Sequence, residues 1–212
     1  MKNILIIASA AASICLTATL GVAADLDVNP VVAPVPPAVK SKVMSVCQNC
    51  HGPQGDSVSP IFPRLNGQQA DYIVAQLKSL RSHKRKDTRA QGYMWGSARD
   101  LDDKMIVALG KYFAGQTPTQ PQTGGALAAE GENIFMNGVA AEGIPPCQAC
   151  HGEYGEGRGG LYPRIAGQHA DYLRMALGAF RSTLRGNKIM HANTRNMTDR
   201  EIEALASYLA ND

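Results

Sequence analysis

Cys47-Gln48-Asn49-Cys50-His51-Gly52 returns as Cys147-Gln148-Ala149-Cys150-His151-Gly152, and the match continues at the same offset. Pro63-Arg64-Leu65-Asn66-Gly67-Gln68 returns as Pro163-Arg164-Ile165-Ala166-Gly167-Gln168, Ala70-Asp71-Tyr72 as Ala170-Asp171-Tyr172, and Arg81-Ser82 as Arg181-Ser182. Beyond that point the second copy is four residues shorter, so that Met94 pairs with Met190, Leu101 with Met197, Asp103 with Asp199 and Tyr112 with Tyr208. A duplication of this size predicts two small domains rather than a solenoid. Each copy is too short to be secure on apolar burial alone and needs something further at its centre.

The CxxCH unit says what that is. Two sulfurs three residues apart fall on one face of a helical turn. Each can form a thioether with one haem vinyl group, and the following histidine can swing under the ring to the iron, so the motif reads as c-type haem attachment. Two such motifs predict two covalently bound haem c groups, on Cys47 and Cys50 and on Cys147 and Cys150. A single zinc site built from all four cysteines is disfavoured, because the pairs lie in separate repeats and each is followed by histidine. A thioredoxin-like motif would need a strand-helix context that the flanking sequence lacks.

The remaining pattern is helical. Residues 70–81 place Ile73, Leu77 and Leu80 on one stripe, matched by Leu173, Leu177 and Phe180. Leu101-Asp102-Asp103 and Met197-Thr198-Asp199 read as helix starts with acids in the first turn. A further helix is expected over 127–136. No segment alternates convincingly as a strand. The expected fold class is all-α.

Residues 1–24 have the layout of a secretory signal peptide: Lys2, an apolar run, and the small exit Val22-Ala23-Ala24. Cleavage after Ala24 would remove Cys15, leaving only the four motif cysteines. An uncleaved anchor is the competing reading, and Ile14 before Cys15 argues against a lipid-attachment box. The expected organisation is then an extended, Pro-rich tail over 25–39, a first domain over 40–116, a Pro- and Gly-rich linker over 117–126 and a second domain over 127–212. The formal net charge is only +3, and the carboxylates of two haems would reverse it. Nucleic-acid binding is not indicated.

Each iron needs a second axial ligand, and a thioether sulfur opposite histidine is the electron-carrying pattern. Of eight methionines, Met1 is the initiator, and Met44, Met105, Met136, Met175 and Met197 fit core or helix positions. Met94 and Met190 correspond between the repeats and are read as lying in irregular sequence ahead of the last helix. The axial pairs are therefore expected to be His51 with Met94 and His151 with Met190. His191 adjoins Met190 and competes for the role. His169 has Gln69 in the other copy, and His83 lies in the basic run His83-Lys84-Arg85-Lys86, read as a solvated face. The carbonyls of Pro63 and Pro163 are candidates to orient the histidine rings, and Arg64 and Arg164 to pair with haem propionates.

These motifs resemble dihaem cytochrome c4: two CxxCHG units, the repeated Pro-Arg-[Leu/Ile]-x-Gly-Gln-x-Ala-Asp-Tyr stretch, and a Met ahead of a Leu/Met-x-Asp helix start. The resemblance spans residues 40–212. It implies tandem class I cytochrome c domains related by a pseudo-twofold axis, each wrapped around its haem. It also implies a periplasmic electron carrier, not an enzyme, with His/Met ligation at both irons. Its donor would be a quinol-oxidising complex or a dehydrogenase, its acceptor a terminal oxidase, and a loose membrane association stays open. Two features depart from the pattern: a short, poorly matched leading helix before Cys47, and a longer, basic stretch between Arg81 and Met94. The competing functions are a haem subunit of a flavocytochrome or periplasmic dehydrogenase and a catalytic dihaem enzyme such as a peroxidase. The matched methionine in both copies argues against the last.

Overall fold

The computed structural model describes residues 34–122 and 124–210; the expected signal peptide and nearly all of the tail lie outside them. Helix α1 (Pro37–Lys42) passes through a π-helical turn, Val43–Cys47, straight into α2 (Gln48–His51). This first helix thus starts at Pro37, ahead of residue 40. Proline is well suited to a first helical turn, where its missing N–H costs nothing. Val39 and Val43, one turn apart, are 3% and 1% exposed in the first core. The leading helix is therefore present in the first copy, fused to the CxxCH turn. In the second copy α6 (Ala128–Asn137) and α7 (Gln148–His151) are separated by a loop that carries a short 3-10 turn, Ala140–Glu142.

The other helices repeat. Helix α3 (Ala70–Arg81) packs on α5 (Asp103–Ala114), and α8 (Ala170–Arg181) packs on α10 (Asp199–Leu209). Helix α5 is capped by Asp102, whose side chain accepts from the Met105 N–H at 2.7 Å. Helix α10 has a full capping box between Thr198 and Glu201. A repeated arginine fastens each pair. Arg81 donates to the Leu101 carbonyl and to Asp103, both at 2.6 Å, and Arg181 does the same to Met197 and Asp199 at 2.8 and 2.6 Å. Helix α6 crosses α10 so closely at Gly131 that an added Cβ would fall 1.9 Å from the Ala204 carbonyl oxygen.

The two methionine segments are helical, not irregular. Met94 ends a π-helical turn, Ala90–Met94, that continues into α4 (Trp95–Ala98). Met190 lies in the first turn of α9 (Lys188–Thr194), whose N-cap Asn187 accepts from the Met190 N–H at 2.9 Å. Asp87 serves the first copy in the same way, accepting from the Ala90 N–H at 3.3 Å. Local capping by Asx residues supplies helical order that the apolar pattern does not announce.

The repeats join within one compact body, Val35–Asp212. Gln68 clasps the backbone of Arg164, with Nε2 donating to its carbonyl at 2.8 Å and Oε1 accepting from its N–H at 2.9 Å. Gln168 clasps Arg64 reciprocally, at 3.0 and 2.8 Å. His169 donates through Nε2 to the Ser57 carbonyl at 2.8 Å, and its counterpart Gln69 accepts from the Gly160 N–H. The linker threads between the copies: Asn66 donates to the Thr117 carbonyl at 2.8 Å, and Arg164 to that of Thr119 at 3.1 Å. Gly67 and Gly167 have φ of +67° and +74°, and a Cβ on Gly167 would lie 2.0 Å from the Thr119 carbonyl oxygen. No strand forms among the described residues; only isolated bridges occur.

Candidate haem sites

A single cavity of about 560 Å³ runs through the molecule and takes in both CxxCH turns. Cys47, Cys50 and His51 face it from one repeat and Cys147, Cys150 and His151 from the other. All four cysteines are half-buried and without disulfide partners. Burial pushes the Cys47 thiol up and that of Cys147 up to about 11. Such thiols stay protonated at neutral pH, unlike the low-pKa thiolates of redox or zinc-binding CxxC sites. Among the described residues no cluster of His, Cys, Asp and Glu is placed to hold a metal ion by itself.

Each histidine is held the same way. His51 Nδ1 donates to the Pro63 carbonyl at 2.8 Å and His151 Nδ1 to that of Pro163 at 3.0 Å. An aromatic ring stands edge-on beside each, Phe62 at 6.3 Å and Tyr162 at 6.4 Å between centroids. The Nδ1 bond leaves Nε2 for a metal. Burial lowers the pKa of both rings, with the carbonyl bond opposing it, which favours the neutral, ligating form. Both histidines are 7% exposed.

Met94 and Met190 line the same cavity. Of the other methionines, Met197 is buried in the second core, Met105 and Met136 pack on the cores, and Met44 is exposed. His191 is not part of the lining; its Nδ1 donates to the Phe180 carbonyl at 3.0 Å. His83 is exposed and stacks on Trp95 at 4.1 Å.

Arg64 and Arg164 border the cavity and also reach across the join. Arg64 Nη1 donates to the Gly167 carbonyl at 2.9 Å and Arg164 Nη2 to that of Thr119 at 3.1 Å. The basic run 83–86 is not uniformly solvated. Lys84 and Lys86 are exposed, but Arg85 turns inward to pair with Asp87 at 2.6 Å. The reason is a contact between the repeats, in which the Lys86 N–H donates to the Leu184 carbonyl at 2.9 Å and Arg85 lies opposite Arg185. Tyr72, Gln76, Arg85, Tyr172 and Arg185 meet there as a polar group on the cavity wall. The sequence pattern gives Gln76 and Arg185 no role and makes Arg85 part of a solvated face. The available signal was that Arg85 and Arg185 keep the offset of the repeat.

Similarity to known proteins agrees with this geometry. The cytochrome c family profile matches residues 128–211. The chain is 39% identical over 183 residues to cytochrome c4 of Thiocapsa roseopersicina, covering 82% of this chain and 91% of that one. It superposes on the cytochrome c4 structure of Acidithiobacillus ferrooxidans with a TM-score of 0.73 at 42% identity, over 77% of this chain and 97% of the other. The chain belongs to the cytochrome c4 family. It is an all-α protein of tandem class I cytochrome c repeats that binds two haem c groups covalently. It is an electron carrier and not an enzyme. It also resembles a protein of Stutzerimonas stutzeri named thiosulfate dehydrogenase electron acceptor, at 35% identity over 78% of each chain.

The chain's residues fit two such groups. The cavity wall is mainly apolar, both CxxCH turns open on it, and each histidine is oriented with Nε2 available. Among the described residues no helix is long and apolar enough to cross a membrane.

Proposed function

We propose that this cytochrome c4-family chain is a periplasmic carrier with His/Met ligation at both irons, His51 with Met94 and His151 with Met190. The observation that carries the ligand assignment is that all four side chains border one cavity while His191 does not. The haem-binding units span 40–116, with α1 added at the front, and 127–212.

Each haem supplies a one-electron couple when bound. The chain's residues do the rest. The Sγ atoms of Cys47, Cys50, Cys147 and Cys150 anchor the rings as thioethers. The carbonyls of Pro63 and Pro163 fix the tautomer and plane of each imidazole. The thioethers of Met94 and Met190 would supply the second ligand to each iron, and thioether ligation would favour its reduced form. Ile73 and Leu80 in one repeat and Leu173 in the other keep water from the site. Arg64 and Arg164 border the same space, where a haem carboxylate is a natural partner for a guanidinium.

The signal-peptide layout of residues 1–24 supports export to the periplasm. A dehydrogenase is the donor that the similarity to a thiosulfate dehydrogenase electron acceptor favours; a quinol-oxidising complex is the other. A terminal oxidase is the proposed acceptor. The test is the optical spectrum of the purified holoprotein, oxidised, and reduced under carbon monoxide. A methionine–iron charge-transfer band without carbon monoxide binding is expected. Binding at either haem would remove Met94 or Met190 as a ligand and favour the catalytic alternative.

A further inference from the structure

Arg185 is 4% exposed, yet no carboxylate among the described residues lies within ion-pairing distance of it. Its donors meet neutral acceptors only. Nη1 reaches the Tyr172 hydroxyl at 3.3 Å, and Nη2 reaches the Tyr72 hydroxyl and, at 3.0 Å, Gln76 Oε1. The guanidinium also lies over the Phe180 ring, 4.6 Å from its centroid. Arg85 approaches from the other repeat, sharing Gln76 Oε1 at 3.3 Å, and it takes up the carboxylate of Asp87. Two buried guanidinium groups thus stand against one carboxylate. Burying a cation without a counter-charge is expensive, and hydrogen bonds to neutral groups do not remove the cost.

This excess charge lies where the repeats meet, and its residues come from both: Tyr72, Gln76 and Arg85 from the first, Tyr172 and Arg185 from the second. All five face the cavity that both CxxCH turns share. Haem brings its own carboxylates, and a guanidinium flanked by hydroxyl donors suits them in charge and geometry. Arg185 and Arg85 draw the pKa of the Tyr172 phenol down against its burial, while burial keeps that of the neighbouring Tyr72 raised.

We propose that Arg185, Arg85, Tyr72 and Tyr172 form one cradle for haem carboxylates at the join of the repeats, so that a single buried charge centre sets the potentials of both haems together. The inference rests on the two-haem reading of the cavity. It adds a shared site to Arg64 and Arg164, which sit nearer the linker.

The experiment uses the two-haem holoprotein carrying Arg185→Gln, with haem content counted first. Loss of covalent haem in the unaltered protein would count against the haem reading itself, not against the cradle. With both haems in place, the propionate bending bands of the resonance Raman spectrum should shift. Both midpoint potentials should fall, because removing a buried positive charge favours the oxidised, more positive iron. Arg185→Lys, which keeps the charge but loses the fork, should move the Raman bands while holding the potentials near those of the parent. Unchanged propionate bands in Arg185→Gln would overturn the proposal, even if the unfolding midpoint drops, since that pattern marks a purely structural residue. If Arg185→Gln does not mature, the Tyr72→Phe, Tyr172→Phe double variant decides. It keeps the cation and removes only the two hydroxyls, so shifted bands support the cradle and unchanged bands overturn it. Added phosphate should leave the parent's bands and potentials unmoved; a shift would mean that a diffusible anion occupies the cradle and would equally overturn the assignment.

Discussion

Gln68 holds the backbone of Arg164 with both ends of its amide, and Gln168 holds that of Arg64, so each repeat grips the residue directly after the other's histidine-orienting proline. The glutamines are each 7% exposed. The Pro63 carbonyl that orients His51 therefore belongs to the same peptide group whose Arg64 N–H is held by Gln168 of the second repeat. Changes at Gln168 should be felt at the first haem, and changes at Gln68 at the second.

Gln168→Leu should accordingly lower stability by about 1–3 kcal/mol, the cost of leaving buried backbone groups unpaired. It should also shift the potential of the first-domain haem more than that of its own domain. Urea denaturation and a redox titration that separates the two couples check both parts. A shift confined to the second haem would mean that the clasp only glues the domains together.

Replacing one methionine should open one iron. Met94→Ala should bind carbon monoxide at a single haem, lose roughly half of the methionine–iron band, and lower that couple's potential, because the thioether that favours the reduced state is gone. Met190→Ala should do the same at the other haem. Carbon monoxide titration of each reduced variant gives the stoichiometry directly. His191→Ala should change neither band, since that ring is bound to the Phe180 carbonyl.

Features carried by local chemistry were legible in the sequence, and features decided between the repeats were not. The CxxCH turns, the helices beginning at Ala70 and Ala170, and the starts at Asp103 and Asp199 follow from motif, stripe and cap within a few residues. The helical state of the Met94 and Met190 segments was hidden, because Asp87 and Asn187 order them by capping and the apolar spacing there is weak. The burial of Arg85 was hidden for a stronger reason. A basic run reads as solvated until the Lys86 N–H finds the Leu184 carbonyl, and that contact exists only once the repeats have met. Val39 falls at the end of the Pro-rich stretch read as an extended tail and Val43 in the leading helix read as short and poorly matched, so their common face was not legible from the pattern.

Asp87 should give the stability a definite pH signature. Burial alone would raise its carboxyl, but the hydrogen bonds and charge of Arg85, with Arg185 behind, hold it below the ordinary value. A carboxylate held down in the folded state stabilises fully above its unfolded pKa of about 3.9, and the contribution is lost as pH falls through the lower folded value. Asp87→Asn should thus be less stable than the parent by about 2 kcal/mol near neutrality. The gap should close as the pH drops below about 4. Denaturation midpoints of the two proteins at neutral and acid pH test this; a gap that stays constant would show that Asp87 acts through its shape and not its charge.

Lys84 and Lys86 point outward on either side of the inward-facing Arg85. Charges of one sign on an exposed turn speed encounter with oppositely charged partners, and screening removes the effect. Lys84→Gln with Lys86→Gln should slow electron exchange with an anionic oxidant such as hexacyanoferrate(III), roughly two- to tenfold at low ionic strength. The dependence on salt should flatten, and both potentials should stay put, because neither lysine lines the cavity. Arg85 must be left intact in this variant, since neutralising it would also strip Asp87 of its partner and confuse a surface effect with a buried one. Stopped-flow rates across a salt series read the outcome, and a salt dependence equal to the parent's would show that partners approach by another face.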